Sequence, residues 1–309
     1  MNWLCWLPRR GLGALLAVTL AVSLAGCGGS AGEGGPSGAP IRILVIPTQG
    51  AGEFEAAMEK LERELSQRSG LRVEVRIGTD YASVVEALRF GKADVGFFGP
   101  FTYVVAHAQS GVRAFVTQTV DGKPYYHSYL IVPRDSEIPE LKTAEDFVRH
   151  VKGKRVAFAD PGSTSGSLIP RLALRRAGLD WERDIQYTFT GHHDAVLTAV
   201  AGGKADIGAI DSAIFTGQLS KTLPEAYAKV RVVWQSEPLY QYPWAARPDL
   251  DPQVVQKLQQ AFLEIQDPEI LRAFGADGFV AAEDRLYDPI REAAAAMGID
   301  LKAYDLKGK

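Results

Sequence analysis

Two similar α/β lobes, each a mainly parallel sheet flanked by helices and joined to the other by two crossing segments, are the fold this chain predicts. Three observations carry that expectation. Short apolar, β-branched runs alternate with stretches of helical period, the alternation restarts midway, and a six-residue motif between a helix and a strand occurs once in each half. Strands that alternate with helices bury a parallel sheet under helical layers.

In order, the first half reads as strand 41–46 and helix 53–68, strand 71–77 and helix 81–89, then strand 93–98 and helix 101–109. The strand runs are short and rich in Val and Ile, whereas the helical stretches repeat apolar residues three and four apart. The rhythm returns as strand 155–159, helix 165–177, strand 185–189, helix 194–201 and strand 205–210. Residues 125–133 and 230–244 look extended and serve as the crossings, and the run 252–297 is expected to be helical and to return to the first lobe. The lobes are thus expected at 41–132 plus 240–309 and at 133–239.

The internal echo is Gly91-Lys92-Ala93-Asp94-Val95-Gly96, which recurs as Gly203-Lys204-Ala205-Asp206-Ile207-Gly208. Helices 84–88 and 196–200 align before it without a gap. Held backward, the register pairs Tyr81 with His193, each opening a helix; held forward, it pairs Gly99 with Asp211, each just beyond a strand. Ligands of open α/β sheets bind outside the carboxyl ends of the strands and at helix N-termini, so two such edges are expected to face one cleft. The motif also has a local reading, a glycine closing a helix before a strand, and both readings stand.

Ahead of the lobes, Arg9 and Arg10 precede an uncharged apolar stretch ending at Gly26 and Cys27. That stretch is shorter than the ~20 residues of a spanning helix, and small residues precede the cysteine, so 1–26 reads as a secretory signal peptide. Leu24-Ala25-Gly26-Cys27 resembles the lipobox of bacterial lipoproteins, which implies lipidation of Cys27. Residues 28–40 are almost wholly Gly, Ser, Ala and Pro, the composition of a tether. Of the 2 cysteines, Cys5 leaves with the signal and Cys27 is acylated, so neither a disulfide nor a cysteine metal site is expected. Net charge is −3, becoming −5 without Arg9 and Arg10, and there is no basic run, which excludes electrostatic attraction to nucleic acid.

The strongest chemical signal lies in 157–168, where a strand passes through Asp160-Pro161-Gly162-Ser163-Thr164-Ser165-Gly166 into a helix. Three hydroxyls stand where free first-turn N–H groups begin, at the positive end of the helix dipole. Small residues let an anion approach; ordinary N-capping by Ser163 or Ser165 is the competing account. Tyr81 and His193 each add a side-chain donor at a helix start. Asp211 follows an apolar strand at the expected cleft edge, where a lone carboxylate needs a donor: the P–OH of a monoprotonated oxyanion, or the ammonium of an aminoalkylphosphonate. A cap for the helix after Asp211 is the local alternative.

Taken together, the 160–166 motif, Tyr81-Ala82-Ser83-Val84-Val85-Glu86-Ala87-Leu88, Phe97-Phe98-Gly99-Pro100 and His193-Asp194-Ala195 resemble the phosphate/phosphite/phosphonate-binding proteins of ABC transporters. The likeness runs through nearly all of 41–274. It implies a type II periplasmic-binding fold that closes about a hinge over a small phosphorus oxyanion, with no cofactor, working as a monomer beside permease subunits at the outer face of a membrane. By position in these motifs, Tyr81, Ser163, Thr164, Ser165, His193 and Asp211 are the implied ligand contacts, with Tyr126 in Tyr126-His127-Ser128 a further one. Where relatives often carry a Pro-rich return segment, this chain has Leu239-Tyr240-Gln241-Tyr242-Pro243-Trp244, whose aromatic side chains are expected to reshape the pocket rim.

Two rival readings use the same residues. A hydrolase built from Ser165, His193 and Asp211 lacks Gly-x-Ser-x-Gly, since Thr164 stands in the serine position, and its acid follows its histidine in the chain. A transport protein for a metal, or for another oxyanion such as arsenite, rests on His127, His192, His193 and Asp211. Their spacing matches no usual metal site, and adjacent histidines at a helix start point in different directions.

Overall fold

The computed structural model describes residues 38–50 and 52–306. The signal peptide, Cys27 and the tether as far as residue 37 lie outside them. Among the described residues, thirteen strands and eleven α-helices follow in order. The first part holds β1 (Ile41–Val45), α1 (Glu53–Ser69), β2 (Val73–Ile77), α2 (Tyr81–Arg89), β3 (Val95–Phe97), α3 (Pro100–Ser110) and β4 (Arg113–Thr119). Next come β5 (Tyr125–Tyr126), β6 (Ser128–Pro133), α4 (Ala144–Val151), β7 (Arg155–Phe158), α5 (Ile169–Arg176), β8 (Gln186–Phe189), α6 (His193–Ala201) and β9 (Ile207–Asp211). The remainder is α7 (Ser220–Thr222), α8 (Pro224–Ala228), β10 (Val230–Gln235), β11 (Leu239–Tyr240), β12 (Pro243–Ala246), α9 (Pro252–Leu263), α10 (Pro268–Ala273), β13 (Gly278–Ala281) and α11 (Asp288–Ala296).

The strands form two sheets, β13-β4-β12-β3-β1-β2 and β10-β6-β9-β7-β8, and a ribbon of β5 with β11. In each sheet three strands are parallel, β2-β1-β3 and β8-β7-β9, with the earliest at the centre. The crossing segments add antiparallel strands: β12 returns against β3, and β6 arrives against β9. A strand handed over from the other lobe enters by the opposite end, so each sheet is mixed rather than mainly parallel. Ser128–Pro133 already pairs within the second sheet, so the first crossing falls at His127, upstream of the 132/133 limit expected from the extended run.

The repeated motif has a structural role at both places. Gly91 (φ 65°) and Gly203 (φ 71°) end their helices in the left-handed region, where a side chain is disfavoured. Asp94 then accepts from Arg42 N at 2.8 Å, Nε at 2.9 Å and Nη2 at 2.9 Å. Asp206 accepts from the same three atoms of Arg155 at 2.9, 3.2 and 2.6 Å. Each aspartate thereby pins the third strand of its lobe to the beginning of the first.

One core runs through the first lobe, where Ile43, Val45, Leu61, Val84 and Trp244 pack with Phe262, Ile270 and Ile290 of the C-terminal helices. The second sheet buries one cluster on each face. The run 252–297 does return to the first lobe, but it is not wholly helical. Gly278–Ala281 pairs with β4 at the sheet edge, four residues being too few to interrupt a helical pattern visibly. Among the described residues no helix is long and apolar enough to cross a membrane.

Candidate functional site

Beyond β7 the chain turns at Asp160, whose Oδ1 accepts from Gly162 N at 2.7 Å while its carbonyl accepts from Ser163 N at 2.8 Å. Ser163 caps the next element, its Oγ accepting from Gly166 N at 3.0 Å. That element opens as a wide π-turn, Thr164–Leu168, before α5 begins, so the three hydroxyls do not enter a regular helix as expected. Gly166 allows the packing: a Cβ there would sit 2.5 Å from Ala159 Cβ and 3.1 Å from His193 Cε1. Ser128 Oγ donates to Ser165 O at 2.6 Å, tying the turn to β6.

Tyr81 and His193 open α2 and α6 as the repeat predicts, but neither is the cap; Asp80 caps α2 through Ser83 N at 2.6 Å. Asp211 ends β9 and does two things at once. Its Oδ1 accepts from Ala213 N at 2.7 Å and Ile214 N at 3.0 Å, capping the next turn. Its Oδ2 is buried without a protein partner.

The same condition marks a whole cluster. Tyr81 Oη, Tyr126 Oη, Ser165 Oγ, His193 Nε2 and Asp211 Oδ2 are all buried and unpartnered. Their residues are at most 2% exposed. Ser163 and Thr164 lie in the same place with their oxygens occupied by backbone N–H donors, Gly166 N for Ser163 and Phe101 N (2.8 Å) for Thr164. All seven residues singled out from the sequence thus come together in one buried cluster.

Electrostatics assign their forms. Burial raises the Tyr81 and Tyr126 phenols well above their ordinary range, and the Asp211 charge adds to this, so both stay protonated. Burial lowers His193 to about 3, leaving it neutral. Because Asp211 N donates to His193 Nδ1 at 3.4 Å, the ring proton sits on Nε2, a donor. Burial raises Asp211 to about 6 against the pull of the Ile214 N–H, the Tyr242 hydroxyl, the Ala213 N–H and the Ser165 hydroxyl, the two hydroxyls lying close to the carboxylate without a formed hydrogen bond to Oδ2. At neutral pH the cluster is therefore a set of neutral donors around one carboxylate, with no Lys or Arg among the residues named.

Two members were not foreseen. Tyr242 is 2% exposed, its hydroxyl interacts with Asp211, and its ionisation is opposed first by burial and then by Asp211, Tyr81 and Tyr126. It stands in the wall of the cluster rather than at a rim; the only sequence signal was the aromatic character of 239–244. Asp160, raised by burial to about 6, accepts weakly from Tyr81 N at 3.5 Å. The lobes also meet where His193 N donates to Thr48 O at 3.2 Å, His192 Nδ1 to Pro47 O at 3.0 Å, and Gln218 Nε2 to Arg272 O at 2.7 Å.

The rival readings find little here. His193 Nδ1 faces the backbone N–H of Asp211, not its carboxylate, so the acid–base link of a hydrolase triad is missing. His127 Nδ1 donates to Ser236 O at 2.8 Å, and among the described residues no group of three or more His, Cys, Asp or Glu side chains is placed to hold a metal ion.

The family described as ABC transporter, phosphonate, periplasmic substrate-binding protein matches residues 43–287. The Phosphate-import protein PhnD of Mycolicibacterium smegmatis is 32% identical over 283 residues, 86% of this chain and 84% of that protein. A binding protein component of an ABC phosphonate transporter from Pseudomonas aeruginosa superposes with a TM-score of 0.74 at 26% identity, covering 82% of this chain and 85% of that one. PhnD1 of Prochlorococcus marinus, solved in complex with methylphosphonate, superposes at 0.75 with 24% identity over 84% of this chain and 98% of that one, a likeness of fold.

Proposed function

The chain belongs to the periplasmic substrate-binding proteins of phosphonate ABC transporters, and from that premise we propose that it captures a small phosphorus oxyanion, whether phosphite, phosphate or a phosphonate, between its lobes for import. The observation that carries the reading is the buried cluster of four unpartnered donors, Tyr81, Tyr126, Ser165 and His193, around the free Oδ2 of Asp211. A hydrogen bond to a charged acceptor contributes about 1.5–3 kcal/mol, so several neutral donors hold an anion without a side-chain cation. Ionised Asp211 accepts from a P–OH group, whereas a fully deprotonated dianion such as sulfate meets like charge in a site removed from water.

The relatives are named as transport binding proteins, and a non-catalytic role suits a site whose histidine lacks a carboxylate partner. We place the protein outside the cytoplasm, monomeric, without a cofactor, and tethered near its permease by a lipid on Cys27. Mass spectrometry that finds Cys27 unmodified in the native membrane fraction overturns the anchor. The ligand test is a thermal-shift panel of phosphite, phosphate, methylphosphonate, aminoethylphosphonate, arsenite and sulfate, since a ligand that binds only the folded state raises Tm by mass action. A phosphorus oxyanion should raise Tm and sulfate should not. Equal shifts with sulfate, or none with any phosphorus compound, overturn the reading.

A further inference from the structure

Gln218 is not one of the cluster residues, yet it reaches across the lobe boundary. It stands in the π-turn Ile214–Leu219, at whose start Asp211 Oδ1 accepts from Ala213 N and Ile214 N. From there its Nε2 donates to Arg272 O at 2.7 Å and to Ala273 O, the last two carbonyls of α10 in the first lobe. Gln218 is 3% exposed, and its Oε1 has no hydrogen-bond partner among the described residues, so Nε2 carries the contact.

The receiving loop is fixed from its own side. Gln49 Nε2 donates to Ala273 O at 3.1 Å and Gln118 Nε2 to Phe274 O at 2.9 Å, both from the first lobe. A carbonyl oxygen has two lone pairs, so Ala273 O serves Gln49 and Gln218 together. Glycines let the two backbones approach: Gly275 adopts φ 61°, and a Cβ on it would lie 3.3 Å from Ala213 O, while one on Gly217 would lie 3.8 Å from Gly275 Cα. Strain on these carbonyls is therefore borne by the first lobe at one end and by the turn after Asp211 at the other.

Resting on the reading that an anion is held between the lobes, we propose that Gln218 is a positioning residue, latching the closed lobes over the anion without touching it. Its bonds to Arg272 O and Ala273 O need both lobes, so they are absent while the cleft admits a ligand and present once it has shut. Bonds of that kind slow release and leave capture alone.

Stopped-flow fluorescence with inorganic phosphate and with methylphosphonate tests this on the wild type, on Gln218→Met, which keeps the length but cannot donate, and on Gln218→Glu, which sets a carboxylate against two carbonyls. The methionine variant should release ligand about tenfold faster, as the loss of two neutral hydrogen bonds implies, with association within about twofold of the wild type. The glutamate variant should release faster still. Both ligand-free variants should melt as the wild type does, because open lobes do not form the bonds. Unchanged release in both variants overturns the latch and leaves the oxyanion reading intact; so does an affinity loss carried by slower association, or a lowered ligand-free Tm with unchanged release. Binding of neither compound to the wild type overturns the oxyanion reading, and the latch with it. If neither Gln218 variant folds, Gln49→Leu, which frees the receiving loop, decides: faster release supports the latch and unchanged release overturns it.

Discussion

Asp211 carries two oxygens with separate duties: Oδ1 caps Ala213 and Ile214, and Oδ2 faces the cluster alone. Burial raises this carboxyl from 3.8 to about 6, a penalty on ionisation on the order of 3 kcal/mol. With a folded pKa above the unfolded one, its contribution to stability is fully present below 3.8 and is lost as pH rises through about 6. Asp160, also raised by burial to about 6, acts in the same direction. His193 opposes them: lowered to about 3, it favours the folded state above its ordinary 6.5 and disfavours it as pH falls toward 3. We predict that Asp211→Asn, which keeps the capping oxygen, makes the ligand-free protein more stable at pH 7.5 by up to about 3 kcal/mol, and by much less at pH 4.5. The same substitution should weaken phosphate binding and narrow the discrimination against sulfate. Denaturant melts at the two pH values check the first statement; a gain that does not grow with pH contradicts it. At this scale the motif residues were legible because each stands where a strand hands over to a helix. Tyr242 was not, because it reaches the site from a returning crossing with no helix start to mark it.

Among the elements, the paired aspartates show that a repeat can be structural and positional together. Asp94 is 7% exposed and holds both Arg42 and Arg247. Asp206 is 33% exposed and holds Arg155. Losing the buried acceptor strands an N–H and two guanidinium contacts, whereas water replaces much of what Asp206 provides. Asp94→Ala should therefore destabilise by about 2–3 kcal/mol, and Asp206→Ala by about 1 kcal/mol or less. Urea unfolding measures both; equal losses would remove burial as the reason for the difference. The parallel units were legible element by element because their strands are apolar runs closed by glycine. Strands β4, β12 and β13 were not separable from their surroundings, since their pairing is with distant segments and leaves no local period.

For the whole molecule, side chains reach the cluster from both lobes: Tyr81 from α2 on one side, the 163–165 turn, His193 and the acceptor Asp211 on the other. Neither half encloses an anion alone, so binding is predicted to close the lobes about His127 and the ribbon of β5 and β11, a hinge motion. Small-angle scattering with and without saturating phosphate should show a smaller radius of gyration with ligand; superimposable curves count against closure. The sequence by itself determined the α/β units, their duplication and the chemistry of the anion-facing turn, because these rest on local period, glycine punctuation and residue type. Tertiary structure alone decided that the crossing strands make each sheet mixed, that Asp211 keeps one oxygen free while the other caps a helix, and that Tyr242 stands against it. Those are contacts between segments far apart in the chain. They depend on how burial and pairing are satisfied in three dimensions, which no window of sequence contains.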